Sequence, residues 1–338
     1  MSADRLDFTV PSKGRIGEQT MAMLARCGLA VSMRSPRSYA GTVPALPGVA
    51  AHLQRASDIV EQVRSGNADL GITGRDILAE SGAGSDEVVI LWDDLGYSRA
   101  RLAIAVPDAW VDVVSVADLA EVALELRGGG RALRVATSFP ALTRNFLIEH
   151  GVYNLRVVNT SGSVEAAPSL GSADIVCDIV ETGSALRQNR LRELPDGVVM
   201  RSAACLIGNV AALRADSEKR ELAGRMLEYV EAHLAAAEAY TITANVSGAS
   251  PEAVAASILG DLDLSGIKGP TVSPVYEKSG QASWYAITVT IARDRLIDAV
   301  AHLRSAGAAS IIARRVDYLF GESSAAKARM LEKLGIGE

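Results

Sequence analysis

Apolar residues follow two spacings along the first two thirds of the chain, one typical of helices and one typical of buried strands. The stretch "RLDFTVPSKGRIGEQTMAMLARCGL" predicts a short strand, a Pro-Ser-Lys-Gly-Arg loop and a helix with Thr20, Met23 and Cys27 on one face. Further apolar runs are "ADLGIT", "RARLAIAVP", "RALRVATSF", "LRVVNTSGS" and "ADIVCDIV". Strands alternating with helices predict α/β layers with mostly parallel sheets, in which binding sites lie at the carboxyl ends of strands.

The pattern changes after a long amphipathic helix at residues 216–239, in which Leu222, Met226, Val230 and Leu234 recur every four positions. "YTITANV" and "YAITVTI" then alternate between apolar and polar positions, as half-buried strands do. Together with two intervening helices and the strands "PTVSPVY" and "SIIARRVDYLF", they give the order β-α-β-β-α-β of a ferredoxin-like domain. No chemistry is indicated there, so we expect a regulatory or assembly module.

Composition narrows the possible functions. With 338 residues, 49% of them hydrophobic and 22% charged, the chain can bury two or three cores. A net charge of −6 without a long Lys/Arg cluster makes nucleic acid an unexpected partner. Three distant cysteines and four isolated histidines indicate neither a disulfide framework nor a zinc site. Without an apolar leader or a membrane-spanning stretch of ~20 residues, we expect no membrane partner and a cytoplasmic location.

The stretch "DIVETGSAL" (178–186) is a candidate ligand site at the end of an apolar strand. Backbone N–H groups at a helix start, hydroxyls from Thr182 and Ser184, and Gly183 form a cradle that favours a phosphate. Asp178 and Glu181 can accept hydrogen bonds from sugar hydroxyls. The stretch therefore suits a phosphorylated ribose, although by itself it is more often a plain helix cap after a strand.

Basic residues elsewhere strengthen the ligand hypothesis. Lys13 and Arg15 lie in the first strand-helix loop, Arg101 opens "RLAIAVP" and Arg144 lies in "TSFPALTRNF". Each is at or near the mouth of a predicted crevice, and each alone is more often an exposed surface charge. Together they can neutralise a strongly anionic ligand despite the acidic total, because the local field decides such binding.

Four segments carry a specific resemblance. "PSKGR", "ADLGITGRD", "ATSFPALTRNF" and above all "GSVEAAPSLGSADIVCDIVETGSALRQNRL" resemble the ATP phosphoribosyltransferase that opens histidine biosynthesis, in order from about residue 8 to residue 320. The terminal module, including "GPTVSPV", resembles the regulatory domain of the long form of that enzyme.

The resemblance implies a fold and its boundaries. It implies a two-lobed, periplasmic-binding-protein-like catalytic body followed by a ferredoxin-like (ACT-like) regulatory domain. The implied segments are lobe I at 1–99 and 192–215, lobe II at 100–191, a connecting helix at 216–239, the regulatory domain at 240–322 and a tail at 323–338.

The resemblance also implies a reaction, in which adenine N1 of ATP joins 5-phosphoribosyl 1-diphosphate (PRPP) to give phosphoribosyl-ATP and pyrophosphate. Mg²⁺ is expected, bound mainly through the pyrophosphate of PRPP, with its protein ligands unknown. Histidine is expected to inhibit at the terminal domain, and the chain to form a homo-hexamer in equilibrium with a dimer.

Site residues carry over by the same comparison. The implied catalytic residues are Glu165, Asp178, Lys13 and Arg15. The implied PRPP loop is Asp178, Glu181, Thr182, Gly183, Ser184, Ala185 and Leu186. ATP is expected at Arg15, Asp76, Arg101 and Thr143, and the effector at Pro270 and Thr271.

Charge explains how such a site works. Loss of pyrophosphate leaves positive charge on the ribose, which carboxylates stabilise, while Mg²⁺ and basic groups stabilise the leaving group. Adenine N1 already carries a lone pair, so no strong general base is needed. Glu165 is the candidate for holding the adenine amino group or the ribose.

Three features of the chain depart from the family pattern. Two other functions also stay open. Ala185 stands where the family has a hydroxyl residue, Ala100 stands where a cysteine is common, and the tail extends past the usual end and is expected to affect assembly. The same cradle permits a phosphoribosyltransferase acting on another base. A two-lobed body also permits a small-molecule binding protein or sensor, which would bind without releasing pyrophosphate.

Overall fold

A computed structural model describes residues 6–35, 38–160, 162–259, 269–276 and 284–337 of the chain. Two compact units emerge, one made of residues 1–226 together with 326–338 and the other of residues 227–325. The strands are β1 (Leu6–Pro11), β2 (Ser32–Met33), β3 (Ala40–Thr42), β4 (Val49–Gln54), β5 (Leu70–Gly74), β6 (Val88–Trp92), β7 (Ala100–Pro107), β8 (Leu133–Thr137), β9 (Leu155–Asn159), β10 (Ile175–Val180), β11 (Leu191–Ser202), β12 (Ala204–Asn209), β13 (Ala239–Ser247), β14 (Thr271–Val275), β15 (Trp284–Ala292) and β16 (Ala309–Arg315).

The helices lie between these strands and after the last of them. They are α1 (Gly14–Arg26), α2 (Ala56–Arg64), α3 (Arg75–Ser81), α4 (Val116–Gly128), α5 (Pro140–Glu149), α6 (Ser184–Gln188), α7 (Val210–Ala215), α8 (Ser217–Ala237), α9 (Pro251–Leu259), α10 (Leu296–Ser305) and α11 (Ala325–Lys333). In the described residues, no helix combines the length and apolar character that crossing a membrane requires.

The first unit contains two sheets, each the centre of one lobe. Strands of the first sheet follow the order β2-β3-β4-β1-β5-β12-β6, and those of the second follow β11-β7-β10-β8-β9. The chain passes from the first sheet to the second between β6 and β7, and returns between β11 and β12. Side chains of β1 and of α1 form the core of the first lobe, with Leu6, Phe8, Thr20 and Cys27 all 0% exposed.

Both sheets are mixed, so the expectation of mostly parallel sheets is wrong. β1 runs parallel to β4 and β5, and β8 runs parallel to β9 and β10. β12 and β7, which follow the two crossings, run antiparallel to their neighbours. The second sheet also extends to Ser202 rather than ending near 191, because β11 continues its antiparallel pairing with β7.

The second unit has the predicted ferredoxin-like topology. Its strands follow the order β14-β15-β13-β16, and the central pair, β13 and β15, is antiparallel. Alternate residues of both central strands face the core, where α9 and α10 add further apolar side chains: Ile242, Ala244, Val246, Val254, Ile258, Ile287, Val289, Ala299 and Leu303. The strict alternation of the sequence is confirmed, because one face of each strand is buried.

The C-terminal helix α11 returns to the first unit. Met330 and Leu334 are each 1% exposed, and burying such side chains stabilises a fold by about 2 kcal/mol each. Lys327 Nζ lies 2.7 Å from Glu221 Oε2 on α8, and Arg214 Nε donates to the Leu334 carbonyl at 2.7 Å. Residues 326–338 are therefore a structural part of the first unit.

Candidate active site

The loop after β10 forms a cradle at the centre of the second sheet. β10 lies between β7 and β8, and its carboxyl end passes through Glu181 and Thr182 into the short helix α6. Residues 178–186 line a concavity of about 220 Å³. Gly183 has φ of +71°, a left-handed conformation that favours glycine. The predicted PRPP residues are therefore brought together around one cavity.

Hydroxyl and amide groups face this cavity's rim. Oγ1 of Thr182 and Oγ of Ser184 lie 3.1 Å apart, and both side chains are exposed. The first bond of the α6 turn runs from the N–H of Arg187 to the Gly183 carbonyl, so earlier amides are those that helix geometry leaves without an acceptor. Leu186 is 4% exposed and anchors the loop, while Ala185 is exposed and adds no hydroxyl.

Asp178 lines the cradle, and the charge of Glu165 acts on its carboxyl. Burial raises the pKa of the Asp178 carboxyl to about 6, because the charged form loses hydration; the N–H of Ile179, 2.8 Å from Oδ1, opposes this shift. The negative charge of Glu165 raises the pKa of Asp178 further. Glu165 lies in a 3-10 turn, Val164–Ala166, preceded by Ser163 at φ of +49°. The two predicted catalytic carboxylates thus interact electrostatically.

A second cavity, here called the hinge cleft, lies at the two crossings between the sheets. Its volume is about 360 Å³, and its lining comprises Arg75, Asp93, Asp94, Arg99, Ala100, Arg101, Glu181, Arg201, Ser202 and Ala203. Arg75 pairs with Asp93, and Arg99 Nε lies 2.8 Å from Asp94 Oδ2. Glu181 lines both the hinge cleft and the cradle, so the two cavities adjoin.

Arg101 lies where the two cavities meet. Its Nε and Nη2 donate to Glu193 at 2.6 and 2.7 Å, and these bonds hold the pKa of the guanidinium above its ordinary value. Nη1 approaches the Glu181 carbonyl at 3.5 Å. Arg101, one of the four residues predicted to bind ATP, thus contacts the cradle loop and lines the hinge cleft.

The other predicted residues are placed unevenly. Asp76, 8% exposed, accepts a hydrogen bond from Ser202 Oγ at 2.8 Å, next to the hinge cleft. Lys13 is exposed before α1, and Arg15 is the second residue of that helix, but the Arg15 side chain lies outside the described residues. Thr143 is 0% exposed and bonds Thr137 at 3.2 Å, so its hydroxyl lies inside the second lobe rather than on the crevice surface.

Several residues at these cavities were not predicted from the sequence. Arg75 directly precedes Asp76 after a buried strand. The rule that binding sites lie at the carboxyl ends of strands identifies this position as well. Arg201 pairs in register with Arg101, a relation between β11 and β7 that only the fold supplies. Glu193 lies on β11, a strand that was not predicted from the sequence.

The predicted effector residues and the cysteines are not among the residues that line the two cavities. Thr271 begins β14, at one end of the described sheet of the second unit, and Pro270 precedes it. Cys27, Cys177 and Cys205 are buried, and burial raises the pKa of each thiol to about 12. Their interpretation as small core residues is confirmed.

Carboxylates at the cradle fit the expected Mg²⁺. No group of three or more His, Cys, Asp or Glu side chains in the described part of the chain is arranged to hold a metal by itself. Mg²⁺ commonly uses one or two carboxylates together with substrate phosphates. Asp178 at the cradle, and Glu165, whose charge acts on it, offer such oxygens.

The fold and the cradle define a class: a two-lobed α/β protein whose central loop suits a phosphorylated sugar. Family models narrow the class further. Residues 55–231 match the family described as ATP phosphoribosyltransferase (HisG), and residues 236–318 match that described as HisG, C-terminal domain.

Individual relatives agree with the family models. ATP phosphoribosyltransferase 1, chloroplastic, of Arabidopsis thaliana is 35% identical over 338 residues, covering 98% of this chain and 82% of its own. The ATP phosphoribosyltransferase of Caulobacter vibrioides is 37% identical over 331 residues, 97% of each chain. A chain of the solved ATP phosphoribosyl transferase (HisG:HisZ) complex from Thermotoga maritima is 25% identical with a TM-score of 0.50, covering 67% of this chain and 95% of that one.

This chain belongs to the ATP phosphoribosyltransferase family, the transferases of histidine biosynthesis. It has the C-terminal domain of the long form, so the predicted membership is confirmed. The cytoplasmic location stays a prediction.

Proposed function

We propose that this protein condenses ATP with PRPP through adenine N1, giving phosphoribosyl-ATP and pyrophosphate. The observation that carries the proposal is the cradle of residues 178–186, a cavity of about 220 Å³ with hydroxyls at its rim and two carboxylates beside it. The adjoining hinge cleft supplies several guanidinium groups for a second, highly charged substrate.

In this mechanism the cradle holds the ribose 5-phosphate. Thr182, Gly183 and Ser184 contact the phosphate oxygens, and Asp178 and Glu181 accept hydrogen bonds from the ribose hydroxyls. Leu186 anchors the loop from below, so the hydroxyls keep their positions when phosphate binds. Ala185 adds no hydroxyl, and the neighbouring Ser184 supplies one instead.

The chemical step exchanges one bond at ribose C1 for another. The adenine N1 lone pair forms the N1–C1 bond while the C1–O bond breaks, and pyrophosphate leaves with the bonding electrons. Asp178 and Glu165 stabilise the positive charge that develops on the ribose, while Lys13 and Arg15 neutralise the leaving group. Asp178 and Glu165 would hold Mg²⁺ on the protein side, where the ion would supply further charge neutralisation for the pyrophosphate.

ATP enters through the hinge cleft in this proposal. Its triphosphate is neutralised by Arg75, Arg99 and Arg201, with Arg101 and Asp76 at the cleft's inner side. Thr143 supports this lobe from within rather than contacting the nucleotide, because its hydroxyl is buried against Thr137.

One assay tests the transfer directly. The protein is incubated with ATP, PRPP and Mg²⁺ in the presence of inorganic pyrophosphatase, and phosphoribosyl-ATP is measured. Product refutes a sensor that only binds its ligand. Absence of product with ATP, but pyrophosphate release with another purine or pyrimidine, would instead establish a transferase acting on a different base.

We further propose that histidine inhibits through the second unit and that the chain forms a homo-hexamer in equilibrium with a dimer. The match of residues 236–318 to the family's C-terminal domain supports this proposal. The proposed effector contacts are Pro270, just before β14, and Thr271, the exposed first residue of that strand.

The regulatory proposal needs a deletion that leaves the first unit complete. Truncation at residue 240 also removes α11, whose Met330 and Leu334 are buried in the first unit. Replacing residues 240–322 with a flexible linker keeps α11 and is expected to abolish histidine inhibition while preserving turnover. Inhibition that persists in this variant places the effector site in the first unit.

A further inference from the structure

Arg101 forms an ion pair next to the cradle with Glu193, a residue that has no role in the chemistry described so far. Arg101 donates two hydrogen bonds to Glu193, and the two side chains are 32% and 23% exposed. Two-bond pairs of this kind fix the orientation of both side chains, whereas single-bond surface pairs contribute little. Arg99–Asp94 at the hinge cleft illustrates the second kind, since it is joined by one bond and is 68% and 41% exposed.

The pair touches the cradle loop from two sides. Arg101 pairs in register with Val180 at the end of β10, and its Nη1 points to the Glu181 carbonyl at 3.5 Å. A Cβ placed on Gly183 would lie 3.3 Å from Glu193 Oε1, so the carboxylate is seated directly against this glycine. The backbone of residues 181–183 therefore rests on Arg101 and Glu193.

Charge makes this arrangement unusual for a phosphate site. A bare carboxylate under the loop would repel the phosphate that the loop receives, and Arg101 cancels that charge. If electrostatics alone mattered, a neutral residue at position 193 would strengthen phosphate binding by leaving Arg101 unbalanced. The presence of Glu193 is explained if its carboxylate holds the neighbouring groups in position.

We infer that Glu193 is a positioning residue for the cradle: it fixes Arg101, and the two side chains together hold residues 181–183 in the conformation that receives the 5-phosphate of PRPP. This inference rests on the proposed function and deepens it. Without Glu193, the Arg101 guanidinium loses its fixed orientation beside the Glu181 carbonyl, and the loop loses its support.

The test is Glu193→Gln, which keeps the size of the side chain and removes its charge. We expect KM for PRPP to rise about tenfold and KM for ATP to change by less than about twofold. Amide hydrogen exchange over residues 178–186 in the ligand-free protein should become faster, because the loop is less restrained. Glu193→Asp, which keeps the charge, should restore part of both effects.

Asp174→Asn is the matched control. Asp174 accepts from Arg134 Nη2 at 2.9 Å and from Nε at 3.3 Å, so it forms a two-bond pair in the same sheet, just before the other end of β10. This variant should lower thermal stability without a selective effect on PRPP. It therefore separates loss of an ion pair in general from loss of support under the loop.

Three outcomes would overturn the inference. A lower KM for PRPP means that charge outweighs geometry, and equal changes in both KM values mean that the pair does not serve the cradle selectively. Unchanged hydrogen exchange over residues 178–186 means that the pair does not hold the loop. An inactive wild type would refute the proposed function instead, and hydrogen exchange would then still decide whether Glu193 restrains the loop.

Discussion

The cradle and the hinge cleft adjoin each other but are built by different means. The cradle is formed by nine consecutive residues, 178–186, and offers mostly backbone groups and hydroxyls. The hinge cleft collects side chains from α3, from the two crossings and from strands of the second sheet, and most of them are charged. In the proposed reaction, PRPP binds to a loop with a fixed shape and ATP binds to a charged surface.

This difference predicts how each site tolerates change. A contiguous loop depends on its backbone conformation, so a single substitution that alters φ or the packing below it affects every contact. In a cleft lined by several guanidinium groups, each group contributes only part of the binding free energy. The loss of one therefore lowers affinity by a moderate factor.

The largest effect is expected from Gly183→Val. The residue has φ of +71°, and an added Cβ would lie 3.0 Å from Arg187 Nη1 as well as against Glu193. A β-branched side chain is strongly disfavoured in that conformation, so kcat/KM for PRPP should fall about 1000-fold, measured by steady-state kinetics. KM for ATP should change little.

Gly171→Val is its matched control, since Gly171 has φ of +70° in the same lobe and nothing lies within 4 Å of an added Cβ. Both variants introduce similar backbone strain, but only one distorts the cradle. Comparable losses of activity in the two would remove the distinction between a loop of fixed shape and a tolerant surface.

A pH dependence should come from the cradle rather than from the hinge cleft. The pKa of Asp178 is raised to about 6, and its stabilising role requires the ionised form, which is lost as pH falls through that value. We expect kcat/KM for PRPP to decline by up to about tenfold per pH unit below 6. The phosphates of the substrate also titrate near this pH, so the profile needs a control.

Asp178→Asn supplies that control. The variant should be about 100-fold less active at pH 8 and should lack the acid limb that belongs to the enzyme. It should also be more stable than wild type at pH 8 but not at pH 4. Because folding raises the pKa of this carboxyl from its ordinary value to about 6, the wild type loses stability as pH rises between those two values, and the loss is complete above about pH 6. An unchanged acid limb would assign the titration to the substrate.

The smallest effect is expected at the hinge cleft. Arg201→Gln removes one exposed guanidinium and should raise KM for ATP about tenfold while KM for PRPP stays within about twofold. Arg225→Gln, at an exposed pair with Glu221 on α8, serves as the control for loss of a surface arginine. A selective increase in KM for PRPP would show that the cleft serves the other substrate.

The cradle was accessible from the sequence because its residues are adjacent in the chain. One segment, residues 162–191, contains both the cradle loop and Glu165. The apolar strand before the loop predicts at which end of the sheet the site opens. The hinge cleft could not be predicted in this way, because Arg201 lies opposite Arg101 only through the pairing register of β11 and β7. Glu193 belongs to the same group, because its contact with Gly183 depends on the packing of two strands.

The fold, like the site, could be predicted from the sequence only in part. Alternation in β13 and β15 identified the buried faces of the second unit, because one face of each strand is covered by helices. Strand direction in the first unit was not encoded by hydrophobic pattern alone, since a buried strand has the same composition whether its neighbours run parallel or antiparallel. The two crossings decide the direction of β7 and β12, and no local motif marks them.

Helix α11 has a consequence for the order in which the protein is made. The first unit begins at the N-terminus, yet Met330 and Leu334 complete its packing, so its last core residues leave the ribosome after the whole second unit. Domains synthesised early usually fold as units before later ones emerge. Here the second unit can finish folding while the first still waits for its final helix, which makes complete synthesis of the chain a condition for a fully packed first unit.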